Sequence, residues 1–210
     1  MVKELDRRRL LTAASLSAVA GWVDAIAFVA LGGYFVSFMS GNTTRGAVDA
    51  FTGGAWWVAL LLVAAFVAGV IAGSILQRLL SARPESAALI LVVALLAAAC
   101  LSAGRAPVLV VAVCLAAAMG AVNVTFTRDR MVSFGVTYMT GALVKAAQGA
   151  VGSLWGERGT GWWRYLVLWA AIVAGALGGA FVSAALGLAA LWFALGAAAL
   201  LLAVTVLRRA

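Results

Sequence analysis

Apolar residues dominate the chain in six runs, at residues 10–31, 56–80, 87–103, 107–126, 162–186 and 188–207. Each comes close to the roughly 20 residues that an α-helix needs to cross a bilayer. Between the first and second runs lies the stretch 32–55, and between the fourth and fifth the stretch 127–161. Neither is polar enough for an ordinary loop. The pattern predicts an all-α polytopic membrane protein with six transmembrane helices and two re-entrant or broken segments, forming a single membrane domain over 1–210.

Positive charges decide whether the two intermediate stretches also cross. Lys and Arg collect on the cytoplasmic flanks of membrane segments. With six spans and a cytoplasmic N-terminus, the inner side holds Lys3, Arg7, Arg8, Arg9, Arg78, Arg83, Arg128, Arg130, Lys145, Arg158, Arg164, Arg208 and Arg209, and the outer side only Arg45 and Arg105. Eight spans would move Arg78, Arg83, Arg128 and Arg130 outside. The reading is therefore six spans in the cell inner membrane, both termini cytoplasmic, with Arg128-Asp129-Arg130 as an inner anchor. The start of the chain, Arg7-Arg8-Arg9-Leu10-Leu11 and then Ala18-Val19-Ala20, imitates a cleaved signal. The apolar run continues past that point, so it reads as a retained first helix.

The polar interruptions recur. Tyr34-Phe35-Val36-Ser37-Phe38-Met39-Ser40-Gly41-Asn42-Thr43-Thr44-Arg45 returns as Phe134-Gly135-Val136-Thr137-Tyr138-Met139-Thr140-Gly141-Ala142-Leu143-Val144-Lys145. Asp24 precedes the first copy and Asn123 the second. Trp56-Trp57 with Gly69 and Gly73 is matched by Trp162-Trp163 with Gly175 and Gly179. Helix, motif, Trp-Trp helix and apolar helix thus occur twice, in repeats of about 8–103 and 107–207. Three crossings are an odd number, so the second copy enters from the opposite face, as in transporters built from inverted repeats. The Trp pairs suit interfacial anchoring, and the glycine pairs suit close helix packing within one chain.

Residues 43–53 span roughly 16 Å as a helix, about half the hydrocarbon layer. A re-entrant hairpin is expected, with residues 34–40 descending, Gly41 turning and Asn42 or Thr43 capping a half-helix; a loop resting at the interface is the alternative. Two half-helix N-termini meeting near the bilayer middle favour anions or oriented polar ligands, and Arg45 and Lys145 add to that potential. Asp24 is the only acid inside a predicted span. Such residues face the bundle interior and find a partner. Arg45 is the natural one, proton exchange is a second role for Asp24, and a structural bond to the broken backbone is a third. Asn123, at the matching place, cannot titrate. Hydroxyls of Ser37, Ser40, Thr137 and Thr140 satisfy local backbone more readily than they contact substrate. The candidate substrate- or ion-binding set is Asp24, Ser40, Gly41, Asn42, Arg45, Asn123, Thr140, Gly141 and Lys145.

Composition narrows the function classes. The chain is 66% hydrophobic and 10% charged, against about a quarter charged in soluble domains. The net charge of +8 therefore reads as membrane orientation and not as nucleic-acid binding. Absence of histidine removes the commonest metal ligand and general base. Cys100 and Cys114 lie in apolar runs and read as small hydrophobes. No catalytic residues, metal site or cofactor is expected, and an enzyme is the weakest class.

Gly21-Trp22-Val23-Asp24, the Phe38-Met39-Ser40-Gly41-Asn42-Thr43 run, Asn123-Val124-Thr125-Phe126 and Thr137-Tyr138-Met139-Thr140-Gly141 together resemble the signature of the YoaK-like bacterial membrane proteins, a permease-like family of unknown function. The resemblance covers nearly the whole chain. It implies an integral inner-membrane protein and supplies no substrate. The expected function is a small-solute transporter or channel with its site at the repeat interface, taking a small anionic or polar metabolite. The alternative is a non-transporting scaffold or accessory subunit. Expected partners are the lipid bilayer and a small solute, with a homo-oligomer left open and no nucleic acid.

Overall fold

The computed structural model describes residues 6–81, 83–128, 131–132, 135–157 and 161–207. Lys3, Asp129, Arg130, Phe134, Arg158, Arg208 and Arg209, which entered the charge and motif arguments, lie outside them. The chain runs α1 (Arg7–Ala30), α2 (Met39–Thr52), α3 (Trp56–Leu79), α4 (Pro84–Ser102), α5 (Val108–Asn123), β1 (Thr127–Arg128), β2 (Met131–Val132), α6 (Met139–Leu154), α7 (Trp163–Leu186), a 3-10 turn (Gly187–Ala190) and α8 (Leu191–Leu207). The two short strands pair antiparallel, Thr127 opposite Val132.

Local chemistry sets the helix ends. Asp6 caps α1, its carboxylate accepting from the Arg9 N–H at 2.7 Å, which satisfies one of the first-turn donors. Gly32 and Gly33, at φ +64° and +104°, adopt conformations that would strain other residues and stop the helix. Pro84 opens α4, where its missing N–H costs nothing.

Among the described residues, four stretches are long and apolar enough to cross a membrane: Arg7–Ala30, Trp56–Leu79, Pro84–Ser102 and Trp163–Leu207. The last, at 45 residues, would be more than twice as long as the hydrocarbon core is thick if it were one rod. Gly187, at φ +55°, and the 3-10 turn divide it into α7 and α8. With the shorter apolar helix α5, six apolar helices result. Large side chains such as Phe181, Leu200 and Ile71 face outward, 82%, 65% and 54% exposed, a surface that lipid covers and water would not tolerate.

Packing is reciprocal. α1 lies along α7, and α3 along α5. A Cβ added at Gly175 would fall 2.0 Å from the Ala18 carbonyl oxygen, and one at Gly69 2.0 Å from that of Ala117. Facing them, a Cβ at Gly21 would meet the Ile172 oxygen at 2.1 Å and one at Gly120 the Phe66 oxygen at 2.0 Å. Backbones in such contact gain dispersion and weak hydrogen bonds that lipid cannot offer. The glycine pairs therefore pack helices inside one chain, as expected. α4 rests on α5 and α8, and α8 also on α1. Asp6, Glu85, Thr125 and Thr205 line one cleft, so α1 and α4 begin where α5 and α8 finish. Arg9 bridges to Glu85 there at 2.8 Å.

Residues 32–55 take a different course from the one expected. Residues 34–38 are non-helical and α2 already begins at Met39. Gly41 is not a turn, and Asn42 and Thr43 are not caps; all three are helical, and Phe38 occupies the cap position without a side-chain bond. In the second copy Thr140 and Gly141 lie likewise in the first turn of α6.

Candidate functional site

The non-helical links after α1 and α5 need partners for their backbone groups, because buried peptide donors are rarely left unpaired. For Phe35, Val36, Ser37 and Thr137 those partners are side chains. Asn42, fully buried, reaches back from α2 to Phe35, accepting from its N–H at 2.8 Å and donating to its carbonyl at 2.6 Å. This clamp explains why Asn42 sits inside α2, since only from the first turn can its amide lie beside that peptide. Asp24 takes the next two donors, its Oδ1 accepting from the Val36 and Ser37 N–H groups at 2.8 Å each. Its Oδ2 accepts from the Ser37 hydroxyl.

The second link is held by the same device with a neutral residue. Asn123 Oδ1 accepts from the Thr137 N–H at 3.2 Å, and its Nδ2 donates to Thr137 Oγ1 at 3.0 Å and to the Met119 carbonyl at 2.9 Å. Ser17 on α1 donates to the Val136 carbonyl at 3.2 Å, which ties the second link to the first half of the chain. Ala142 stands where the first copy has Asn42, so the second link lacks the amide clamp.

Arg45 does not pair with Asp24, contrary to expectation. Its Nε contacts both carboxylate oxygens of Asp49 at 3.0 Å, one helical turn along α2, and its guanidinium lies 5.1 Å from the centre of the Tyr34 ring. The Tyr34 hydroxyl donates to Asp49 and lies 3.1 Å from the Ala55 carbonyl oxygen. Tyr34, and with it Arg45, hold the Asp49 carboxyl below its ordinary pKa; α2 lies outside the four candidate spans. Lys145 takes a similar post, its Nζ 5.8 Å from the Tyr165 ring centre.

Both links contribute to one cavity of about 460 Å³, bounded by α1 and α7. Phe35, Ser37 and Phe38 come from the first link, Thr137 from the second and Met139 from the start of α6. Asp24 is the one ionisable residue among those lining it. Of the residues singled out from sequence, Asp24 lines the cavity, while Asn123 and Asn42 hold residues that do. Ser40, Gly41, Arg45, Thr140, Gly141 and Lys145 are not among its lining residues. Sequence reasoning missed the α7 wall, Ile172 to Ala180, which carries no polar signal. It also missed Asp49, although the i,i+4 spacing from Arg45 was a readable sign. Among the described residues no group of three or more acids or cysteines converges on a point that could hold a metal ion.

Comparison with known proteins bears on the same chain length. Residues 12–206 match the model of a family described as protein of unknown function (DUF1275). The chain is 40% identical over 180 residues to the UPF0700 transmembrane protein RA0705 of Rhizobium meliloti (strain 1021), covering 84% of this chain and 78% of that protein. No solved structure matches. The family match spans both links, both glycine-paired helix contacts and the cavity between them, in agreement with the YoaK-like resemblance, and the chain belongs to the DUF1275 family of membrane proteins.

Proposed function

We propose that this protein is a small-solute transporter or channel of the cytoplasmic membrane, without a chemical step of its own. It is built from two inverted three-helix repeats that cross six times, with both termini cytoplasmic. The observation that carries the reading is the shared cavity, to which both links contribute. Discontinuous helices meeting at a repeat interface are how many transporters build a solute site, and irregular backbone within a membrane is tolerated where it lines such a cavity. Two further facts support the inversion. α1 packs on α7 as α5 packs on α3, and α1 begins at the end where α5 finishes.

The preference for an anion loses its footing, because Arg45 and Lys145 are engaged with tyrosines and the cavity's ionisable group is an acid. The test is solute uptake into proteoliposomes across a panel of neutral, cationic and anionic compounds. Uptake by the wild type should fall at least tenfold in Ala180→Trp, which fills the cavity from the exposed side of α7 and leaves both clamps intact. If no compound enters faster than into empty liposomes, the transporter reading is wrong.

One observation favours the second reading, a scaffold or accessory subunit: the hydrogen bonds of Asp24 and Asn123 go to backbone or to a hydroxyl nearby in the chain. On that reading Ala180→Trp is silent and only variants that break the clamps lose function.

A further inference from the structure

Asp24 and Asn123 each hold a link by accepting from its backbone, two N–H groups for Asp24 and one for Asn123, and they differ in chemistry: one is a carboxyl and the other a neutral amide. Asn123 shows that a neutral amide suffices to hold a link. An ionisable carboxyl at Asp24 is therefore more than holding a link demands, and Asp24 is the one of the two that lines the cavity. A carboxylate offers about four acceptor positions, and the three bonds from Val36 and Ser37 leave capacity toward the cavity.

The wall beside Asp24 is aromatic. Phe28 and Phe35 lie with ring centres 4.9 Å apart, tilted at 44°, and Phe38 meets Phe35 edge-on at 5.3 Å and 90°. All three rings line the cavity, and Met139 and Ile172 extend the apolar surface. Rings set at differing angles present π-faces in more than one direction, and a cation is drawn to such faces. A volume of about 460 Å³ lies within the range that holds a small organic ligand. A metal ion would find one carboxylate and, beyond the Ser37 and Thr137 hydroxyls already bonded to Asp24 and Asn123, no further side-chain oxygen among the lining residues. A carboxylic acid would meet the Asp24 charge across an apolar wall.

Resting on the cavity being the solute site, we infer that its ligand is an organic ammonium with an apolar body, its cationic head against Asp24 and the Phe28, Phe35 and Phe38 rings. The head needs charge and the body needs shape, so quaternary and protonated amines of this size belong to one class here.

The experiment is competition binding on the purified full chain in nanodiscs, with radiolabelled benzyltrimethylammonium as the probe. Unlabelled benzyltrimethylammonium should displace it at least tenfold better than neopentylbenzene, its uncharged isostere, and better still than benzoate. Asp24→Asn should keep the melting temperature and lose at least tenfold in probe affinity. Phe28→Leu, which removes one ring without touching a clamp, should weaken the probe several-fold and leave neopentylbenzene unchanged. Equal displacement by the isostere, or by a short-chain phospholipid irrespective of charge, would mean that an acyl chain fills the cavity, and the inference falls. The wild-type isostere comparison decides this even if a variant does not fold. Uptake of an anion or a neutral solute in liposomes, with no ammonium bound, overturns the ligand class and leaves transport standing. Asp24-dependent ammonium binding without uptake of any solute upholds the ligand class and removes the transporter.

Discussion

Asp24, Asn42 and Asn123 together account for the backbone donors of Phe35, Val36, Ser37 and Thr137, and their removal has calculable consequences. A buried donor stripped of its acceptor costs about 1–3 kcal/mol. Asp24→Ala strands two N–H groups at once and should lower stability by about 2 kcal/mol or more in a detergent thermal melt. Asp24→Asn keeps an Oδ1 for both donors, with the Ser37 hydroxyl turning to accept from the new amide, so the same melt should move little. The glycines of the repeated motif should differ in their tolerance. A Cβ at Gly41 would sit 2.3 Å from the Phe38 ring, whereas one at Gly141 meets nothing within 4 Å. Gly41→Ala should displace Phe38 and destabilise; Gly141→Ala should be neutral or gain up to about 1 kcal/mol from helix propensity. Asp49 adds a pH dependence. Its folded pKa lies below the ordinary value of 3.8, so its contribution is present above that value and fades as pH falls through the lowered one. Asp49→Asn should remove this part of the acid destabilisation, read as a flatter melting temperature against pH below about pH 4.

At the scale of elements, the reciprocal helix pairs carry the architecture. The contacts of α1 with α7 and α3 with α5 depend on backbone approach, not on side-chain volume. Gly69→Ala or Gly175→Ala forces the helices apart and should cost about 1–3 kcal/mol, the usual penalty of overpacking. Gly196→Ala in α8, where a Cβ has open space, should change stability by less than about 0.5 kcal/mol. A melt of the three variants side by side checks whether close approach, and not glycine as such, holds the bundle. The half-helices α2 and α6 are less alike than their sequences suggest. α2 is fastened by the Asn42 clamp and the Tyr34, Arg45 and Asp49 cluster, while α6 has Ala142 and a single cation over Tyr165.

For the whole molecule, the proposed six-crossing arrangement makes a topological prediction. Single cysteines at Gly104 and Gly187, in a background with Cys100 and Cys114 replaced by alanine, should react with an impermeant maleimide on intact cells. Cysteines at Asp6 and Leu207 should react only after permeabilisation. Labelling of Asp6 and Gly104 from one side would contradict the inverted plan. Much of this scale was readable beforehand. Apolar runs of spanning length, Gly69 facing a neighbour and the duplicated motif follow from composition and spacing, which depend on the solvent around each segment and survive without knowledge of the fold.

What the amino-acid order determined by itself is the set of helices and their membrane setting, because burial in lipid is a property summed over each segment. It also marked Asp24 as exceptional, since an acid in an apolar run is costly wherever it points. Only the tertiary structure decided what that acid touches. Charge alone suggested Arg45, but Arg45 has Asp49 one turn away on its own helix, while the open backbone of Val36 and Ser37 lies against Asp24. Which donors lack partners depends on where the chain stops being helical, and the α7 wall of the cavity depends on which helix packs on α1. The first is set locally, by the glycines that end α1, but the second by contacts between residues more than a hundred positions apart, such as Gly175 with Ala18, which no local pattern encodes.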